Sequence, residues 1–382
     1  MKRKRKSTTS AKLLLAVIIA FVVAAVPEPA ELSDVYATSN KAVVQSVDAI
    51  QEKLLNAMSS REETVRFAYQ GETKSLKTQL KNALDQAMAS DPYIHYTISS
   101  YSYDYRGTSS SADVTVRLTY RETAKQTEYV NEQTESILKS LIKPTMNDHE
   151  KVKAIHDWVV LNLEYDTTLT KYTAYDALST GSAVCQGYAL LTHKLLKEAG
   201  ITNKIVEGTA YSSDNPRGQL HAWNLVQLGG KWYHLDTTWN DPLPDRKGEV
   251  SYTYYLRTDK QMSKDHTWVK QYPEASTLYR DTLKGLVTKD RAKSVVYTQL
   301  MNTLEYHLYD AKSIVKTHKD LSALLAASST QKDKQLVFRF NGNEKELVRV
   351  LQEVQSKGNV GSIRYYYGPF EDTGDLRVQM TW

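Results

Sequence analysis

One thiol, two imidazoles and one carboxylate carry the chemistry that can be read from this sequence. Cys185 is the only cysteine in 382 residues, within Ser182-Ala183-Val184-Cys185-Gln186-Gly187-Tyr188-Ala189. A thiolate attacks carbonyl carbon well when a neighbouring base takes its proton and a third group orients that base. Partners of those types flank Gly229-Gly230: His221-Ala222-Trp223 lies before it and His234-Leu235-Asp236 after it. A Gly-Gly pair between two strand-like segments is a hairpin signal. With that loop, Leu228 faces Lys231, Trp223 faces Asp236 and His221 faces Thr238. His221 and Asp236 are then diagonal neighbours on one face, about 7–8 Å apart at the backbone, a gap their side chains can close. In this way a carboxylate orients a histidine that serves a nucleophile. His234 lies two residues before Asp236 and projects from the same face, so periodicity leaves His221 and His234 as alternatives for the base.

The elements that must position these groups are legible around them. From Asp148 to Leu163, the residues Val152, Ile155, Val159 and Leu163 trace a helix face. Gly181 and Ser182 break the chain, and Tyr188, Leu191, Leu195 and Leu196 form a second stripe that stops at Gly200. Cys185 thus opens a helix, where unpaired backbone N–H groups and the macrodipole favour a thiolate and can hold an oxyanion beside the sulfur. The bland counterpart is an inert buried cysteine in a first helical turn. Strands follow over Lys204–Thr209, His221–Leu228 and Lys231–Thr237. His156 and His193 sit in helical contexts, where packed or solvated roles are the default. No cofactor is expected. No metal site is expected either, since one cysteine and no paired-histidine spacing fall short of a ligand cluster.

The N-terminus reads as an export signal. Lys2 to Lys6 form a basic cluster, the apolar run from Leu13 to Val26 is too short to span a bilayer, and Val35-Tyr36-Ala37 offers a cleavage site after Ala37. An uncleaved anchor is the alternative and would be the only link to a membrane. Residues 1–37 hold six basic and three acidic residues, so the formal +5 falls to +2 in the mature chain. So balanced a chain implies no nucleic-acid surface. About 345 mature residues accommodate two or three domains, and a lone cysteine rules out an intramolecular disulfide framework.

Two flanks resemble each other. Thr64–Gly71 alternates as a strand and is followed by a helical pattern at Leu76, Leu80 and Leu84. A shift of 271 lays Val65 on Leu336, Phe67 on Phe338, Gly71 on Gly342 and Leu80 on Leu351, and Asp113–Tyr120 is laid over Asp375–Trp382. The reading is two copies of a β-α-β-β module, each preceded by a helix, at residues 38–125 and 310–382. Their tyrosines, among them Tyr93, Tyr96, Tyr101, Tyr365, Tyr366 and Tyr367, fit sheet faces, with sugar or peptide stacking as the other use.

Three blocks carry a family resemblance: Gly181–Ala189, His221-Ala222-Trp223-Asn224-Leu225-Val226, and Trp232-Tyr233-His234-Leu235-Asp236-Thr237-Thr238-Trp239. In this order and spacing they resemble the core of the transglutaminase-like superfamily, over about residues 145–275. The resemblance implies an α+β chain with a papain-like core, a Cys-bearing helix packed on an antiparallel sheet bearing His and Asp. It implies Cys185 as nucleophile, His221 as base and Asp236 as orienting acid, in preference to His234. The family's second oxyanion donor lies upstream of the cysteine, where Trp158 and Tyr165 are candidates. No acidic cluster resembles the calcium sites of animal transglutaminases. The implied activity is cleavage or transfer at amide bonds through a Cys thioester, with hydrolysis favoured over cross-linking and a peptide or protein as substrate. An exported chain meets secreted or surface proteins and cell-wall peptides. The contrasting expectations are a non-catalytic surface protein that uses the core as scaffold, and a glycan binder that uses the tyrosine-rich flanks.

Overall fold

The computed structural model describes residues 42–242, 248–328, 334–357, 360–371 and 373–382. The expected export segment, residues 1–37, lies outside the described residues. No described helix is long and apolar enough to cross a membrane. The chain divides into two compact units, one ending at Thr277 and one from Leu278 to Trp382. The architecture is α+β.

The first unit begins with β1 (Val43–Val44), α1 (Val47–Ser59), β2 (Thr64–Gln70), α2 (Leu76–Ser90), α3 (Pro92–Thr97), β3 (Ile98–Gly107) and β4 (Ser111–Tyr120). These strands form a sheet in the order β1-β2-β4-β3, with β1 parallel to β2 and the others antiparallel. Alternation along β2 buries Val65, Phe67 and Tyr69 and leaves Arg66 and Gln70 exposed. Ile50 and Leu54 of α1 and Leu76, Leu80 and Leu84 of α2 share the core with them. Buried Glu122 ties this module to the helical region after it, accepting from Tyr93 Oη at 2.8 Å and from the Tyr175 amide at 3.2 Å.

The same unit continues with α4 (Ala124–Leu141), α5 (Asp148–Asn162), β5 (Glu164–Tyr165), α6 (Ala174–Thr180), β6 (Ser182–Ala183) and α7 (Cys185–Glu198). Then come β7 (Asn203–Ser212), β8 (Asn215–Leu228), β9 (Lys231–Leu235), α8 (Asp259–Met262) and β10 (His266–Trp268). The strands β10-β7-β8-β9 form an antiparallel sheet in that order. The Gly229-Gly230 hairpin has the register read from its loop: Leu228 pairs with Lys231, and the ladder ends at Asn224 with Leu235. Both glycines have positive φ, 56° and 77°, which a tight hairpin loop requires.

The second unit contains α9 (Tyr279–Lys289), α10 (Ser294–Thr303), β11 (Ile314–Val315), α11 (His318–Ser328), β12 (Gln335–Phe340), α12 (Glu344–Ser356), β13 (Arg364–Pro369) and β14 (Leu376–Thr381). Its sheet order is β11-β12-β14-β13, again with the short first strand parallel. The shift of 271 holds for that strand as well: Val43 pairs with Ala68, and Ile314 with Arg339. These two-residue strands are too short to show periodicity. The closing strands need a correction. Phe67 pairs with Val114 and Phe338 with Val378, so Val114 corresponds to Val378 and not to Leu376. The second hairpin carries two more residues between its paired strands (Gly107 with Ala112, Pro369 with Leu376). A slip of two keeps every side chain on its face, so the apolar pattern could not reveal it. The tyrosines differ in exposure: Tyr93 and Tyr101 are buried, while Tyr366 is 76% exposed.

Phe338 is fully buried in the core of the second unit. Phe338→Ala is expected to destabilise that unit by about 3–5 kcal/mol, measured as faster hydrogen exchange of the β12 and β14 amides. Unchanged protection would contradict this account of the core.

Candidate active site

The cysteine is delivered by a tight connection. Helix α6 ends at Gly181 with φ 68°, β6 pairs in parallel with β5, and the Val184 amide donates to the Lys171 carbonyl at 2.8 Å. Cys185 is then the first residue of α7, a free and half-buried thiol. The first-turn amides of a helix have no intrahelical acceptor, so they are available beside the sulfur. Gly187 allows this turn to pack closely. A Cβ there would lie 2.6 Å from the Ala183 Cβ and 3.1 Å from the Thr173 carbonyl oxygen. Gly187→Ala is therefore expected to cost about 1–3 kcal/mol through overpacking and to slow Cys185 alkylation. Wild-type stability and alkylation together would refute that reading.

Three hydrogen bonds fix α7 against the elements that bear the histidine and the carboxylate. Asn224 Nδ2 donates to the Ala189 carbonyl at 3.1 Å, Thr192 and Thr237 hydroxyls meet at 3.1 Å, and Tyr188 Oη donates to Asp241 Oδ2 at 2.5 Å. His221 Nε2 lies 2.7 Å from Asp236 Oδ2, with both side chains buried. Cys185 lies close enough to His221 to add, after Asp236, to the shift of that ring. The three groups expected from the sequence therefore converge, with Asp236 one residue beyond the end of the β9 ladder.

Burial works against a charged His221, but the Asp236 charge and hydrogen bond, reinforced by Cys185, raise its pKa to about 10. Burial likewise opposes ionisation of Asp236, yet His221 and His266 hold it well below the usual carboxylate range. A histidine whose pKa is raised on folding adds stability that is complete below its ordinary value of 6.5 and is lost as pH climbs through about 10. The central region should therefore lose stability between pH 6.5 and 10. Tryptophan fluorescence in urea can follow this, since five of the six tryptophans lie between Trp158 and Trp268. The expected result is a falling midpoint that flattens in His221→Gln. A slope unchanged in the variant would count against the assignment.

Hydrogen-bond chemistry separates the two histidines that periodicity could not rank. Trp223 Nε1, which can only donate, lies 2.9 Å from His234 Nδ1. His234 thus accepts at Nδ1 and presents its proton at Nε2 to Asp259 Oδ1, 2.7 Å away. It is a neutral ring whose two nitrogens are both engaged away from Cys185. His156 is similar, bridging Asp157 Oδ1 and Asn240 Nδ2 at 2.9 Å each, and His193 holds Asn203 at 2.7 Å.

The sequence reading missed His266. Its Nε2 lies 3.2 Å from the same Asp236 Oδ2 that His221 contacts. The only signal was its place just before Trp268, on a strand too short to recognise. His221, Asp236 and His266 also bring three ligand-type atoms within 4.8 Å of one another. The two ring nitrogens are spent on one carboxylate oxygen, so a cation there would have to displace both hydrogen bonds. Of the upstream oxyanion candidates, Tyr165 pairs with Ala183, two residues before the cysteine. Trp158 instead offers its carbonyl to Asn162 on α5. Burial, reinforced by nearby Glu207, raises the pKa of Tyr96 on α3, which the sequence did not mark as a site residue.

Part of the chain is similar to known proteins. Residues 135–237 match the family described as the transglutaminase-like superfamily. Kyphoscoliosis peptidase of Mus musculus is 31% identical over 121 residues, covering 28% of this chain and 18% of that protein. The Homo sapiens protein of that name is 30% identical over 123 residues, covering 29% and 19%. The chain thus spans less than a fifth of the length of these relatives. A solved structure of a TGase shares 12% identity over 62% of this chain and 68% of its own, with a TM-score of 0.28. On the match over residues 135–237 and these relatives, the central region of this chain is a domain of the transglutaminase-like superfamily.

Proposed function

We propose that this chain is an exported cysteine enzyme that acts on amide bonds of peptides or proteins through a Cys185 thioester, with hydrolysis as its main outcome. The observation that carries the reading is the buried His221–Asp236 hydrogen bond, with Cys185 close enough to the same ring to help raise its pKa. The sulfur attacks the amide carbonyl carbon, and the first-turn amides of α7 stabilise the oxyanion. The Tyr165 hydroxyl serves as the second oxyanion donor; burial raises its pKa, so it keeps its proton. His221 then gives its proton to the departing nitrogen, the C–N bond breaks, and the acyl group stays on sulfur. Water next loses a proton to His221 and attacks the thioester, releasing the acid and restoring the thiol and imidazole. An amine in place of water would give a cross-link. Hydrolysis is in line with the name peptidase borne by two relatives, and the address rests on the N-terminal signal-like segment.

The test is acyl-enzyme trapping. The secreted protein is quenched in acid after mixing with a library of peptide amides, and Cys185 is examined by mass spectrometry, with water and a lysine analogue competing for the thioester. An adduct on Cys185 that is absent in His221→Ala, and partitions mainly to acid, is expected. No adduct from any donor, with Cys185 alkylation indifferent to His221→Ala, would replace this reading with the non-catalytic scaffold.

A further inference from the structure

Asp236 serves two rings. His221 approaches its Oδ2 at 2.7 Å from β8, and His266 approaches the same oxygen at 3.2 Å from β10. The other carboxylate oxygen, Oδ1, accepts from the Trp239 amide at 3.0 Å. The second nitrogen of His266, Nδ1, lies 2.7 Å from Asp265 Oδ1, and Tyr254 Oη donates to Asp265 Oδ2 at 2.6 Å. Ionised carboxylates only accept, so a ring with a carboxylate at each nitrogen must carry both protons. His266 is thus a fully buried imidazolium.

Its placement is built into the sheet. His266 pairs with Ala210 on β7, and Trp268 pairs with Gly208, which in turn faces His221 across β8. A Cβ on Gly208 would lie 2.0 Å from the Thr267 carbonyl oxygen and 2.7 Å from Trp223 Cη2. That glycine therefore lets β10 come close enough for His266 to reach the carboxylate. The surrounding rings are Trp223, Trp239, Tyr254 and His221, at centroid distances of 5.1, 4.6, 5.3 and 5.4 Å. The titratable or charged groups facing His266 are Asp236, Asp265, His221, Tyr254 and the neutral His234.

We propose that His266 is a positioning residue of the acyl-transfer site, a charged second donor that holds Asp236 in place and divides its negative charge between two imidazoles. The proposal rests on the acyl-transfer reading only for its effect on rate. A carboxylate devoted to His221 alone would hold the proton of that ring more tightly and oppose its transfer to the leaving nitrogen. His266 takes part of that field and adds a like charge 5.4 Å from His221, which eases release of the proton. The His266 pKa is shifted in the matching direction: burial opposes the charge, and the two carboxylates outweigh it and raise it.

Histidine-labelled full-length protein tests this by NMR, which reads protons on each ring nitrogen. Wild-type His266 should show both nitrogens protonated at neutral pH; a neutral ring there overturns the proposal. The His221 titration is then compared in a Cys185→Ser background, with and without His266→Gln, because glutamine keeps a donor and removes the charge. Loss of a like charge should raise the His221 titration by at least about one pH unit. In the Cys185 enzyme, His266→Gln should lower kcat about tenfold or more with KM unchanged, and move the alkaline limb of the profile upward. An unshifted His221 in the glutamine variant, with only a lower melting temperature, reduces His266 to packing and overturns the proposal. If wild-type protein forms no acyl-enzyme, the functional reading fails, while the NMR comparison still decides the division of charge.

Discussion

Asp236→Asn is expected to lower turnover by about four orders of magnitude, the scale seen when a triad carboxylate becomes an amide with little change of shape. The physical reason lies in the two rings it serves. His221 Nε2 and His266 Nε2 both face Oδ2, and an amide replaces the charge that keeps both protonated. A new N–H donor also competes for one ring nitrogen, which favours the wrong His221 tautomer. Cys185 then loses the ring that accepts its proton and later delivers it to the leaving group. The same change leaves buried cationic rings without their counter-charge, which costs about 3–5 kcal/mol when one partner of a buried pair is removed. Single-turnover acylation of Cys185 measures the first effect, and tryptophan fluorescence in urea the second. A rate within tenfold of wild type would remove Asp236 from the mechanism.

Cys185→Ala and His221→Ala should each abolish acylation, with losses of about 10⁵–10⁶ in rate, and the double variant should be no worse than either single one. Groups that act as a unit are strongly non-additive, because a nucleophile without its base contributes little, and a base without its nucleophile contributes nothing. Cys185 helps raise the pKa of His221, and that same ring is held by Asp236. Residual turnover would reflect substrate binding and the helix amides alone. The check is turnover of one donor peptide, measured as product formed, in the full set of three variants. Losses that multiply in the double variant would mean that Cys185 and His221 work independently.

Much of this site was legible because it depends on local rules. The Gly229-Gly230 loop set the hairpin register, and with it the diagonal closeness of His221 and Asp236. The break at Gly181 and the apolar stripe after Gln186 placed Cys185 at a helix start. Both follow from backbone preferences acting over a few residues. The choice between His221 and His234 was not local. It turned on Trp223 occupying one nitrogen of His234 and Asp259 the other, contacts that periodicity does not encode.

The sequence by itself placed the main helices and the central strands, the register of the central hairpin, the likeness of the two flanking modules, and Cys185 and Asp236 with two candidate histidines. Each of these is written in residues close together in the chain or repeated at a constant offset. Only the tertiary structure decided that Asp236 is shared with His266 and that Gly208 and Gly187 are demanded by close approach. These facts arise where distant segments meet in a closely packed interior. There a distance of one or two ångströms decides which nitrogen holds a proton, and composition and spacing carry no record of it.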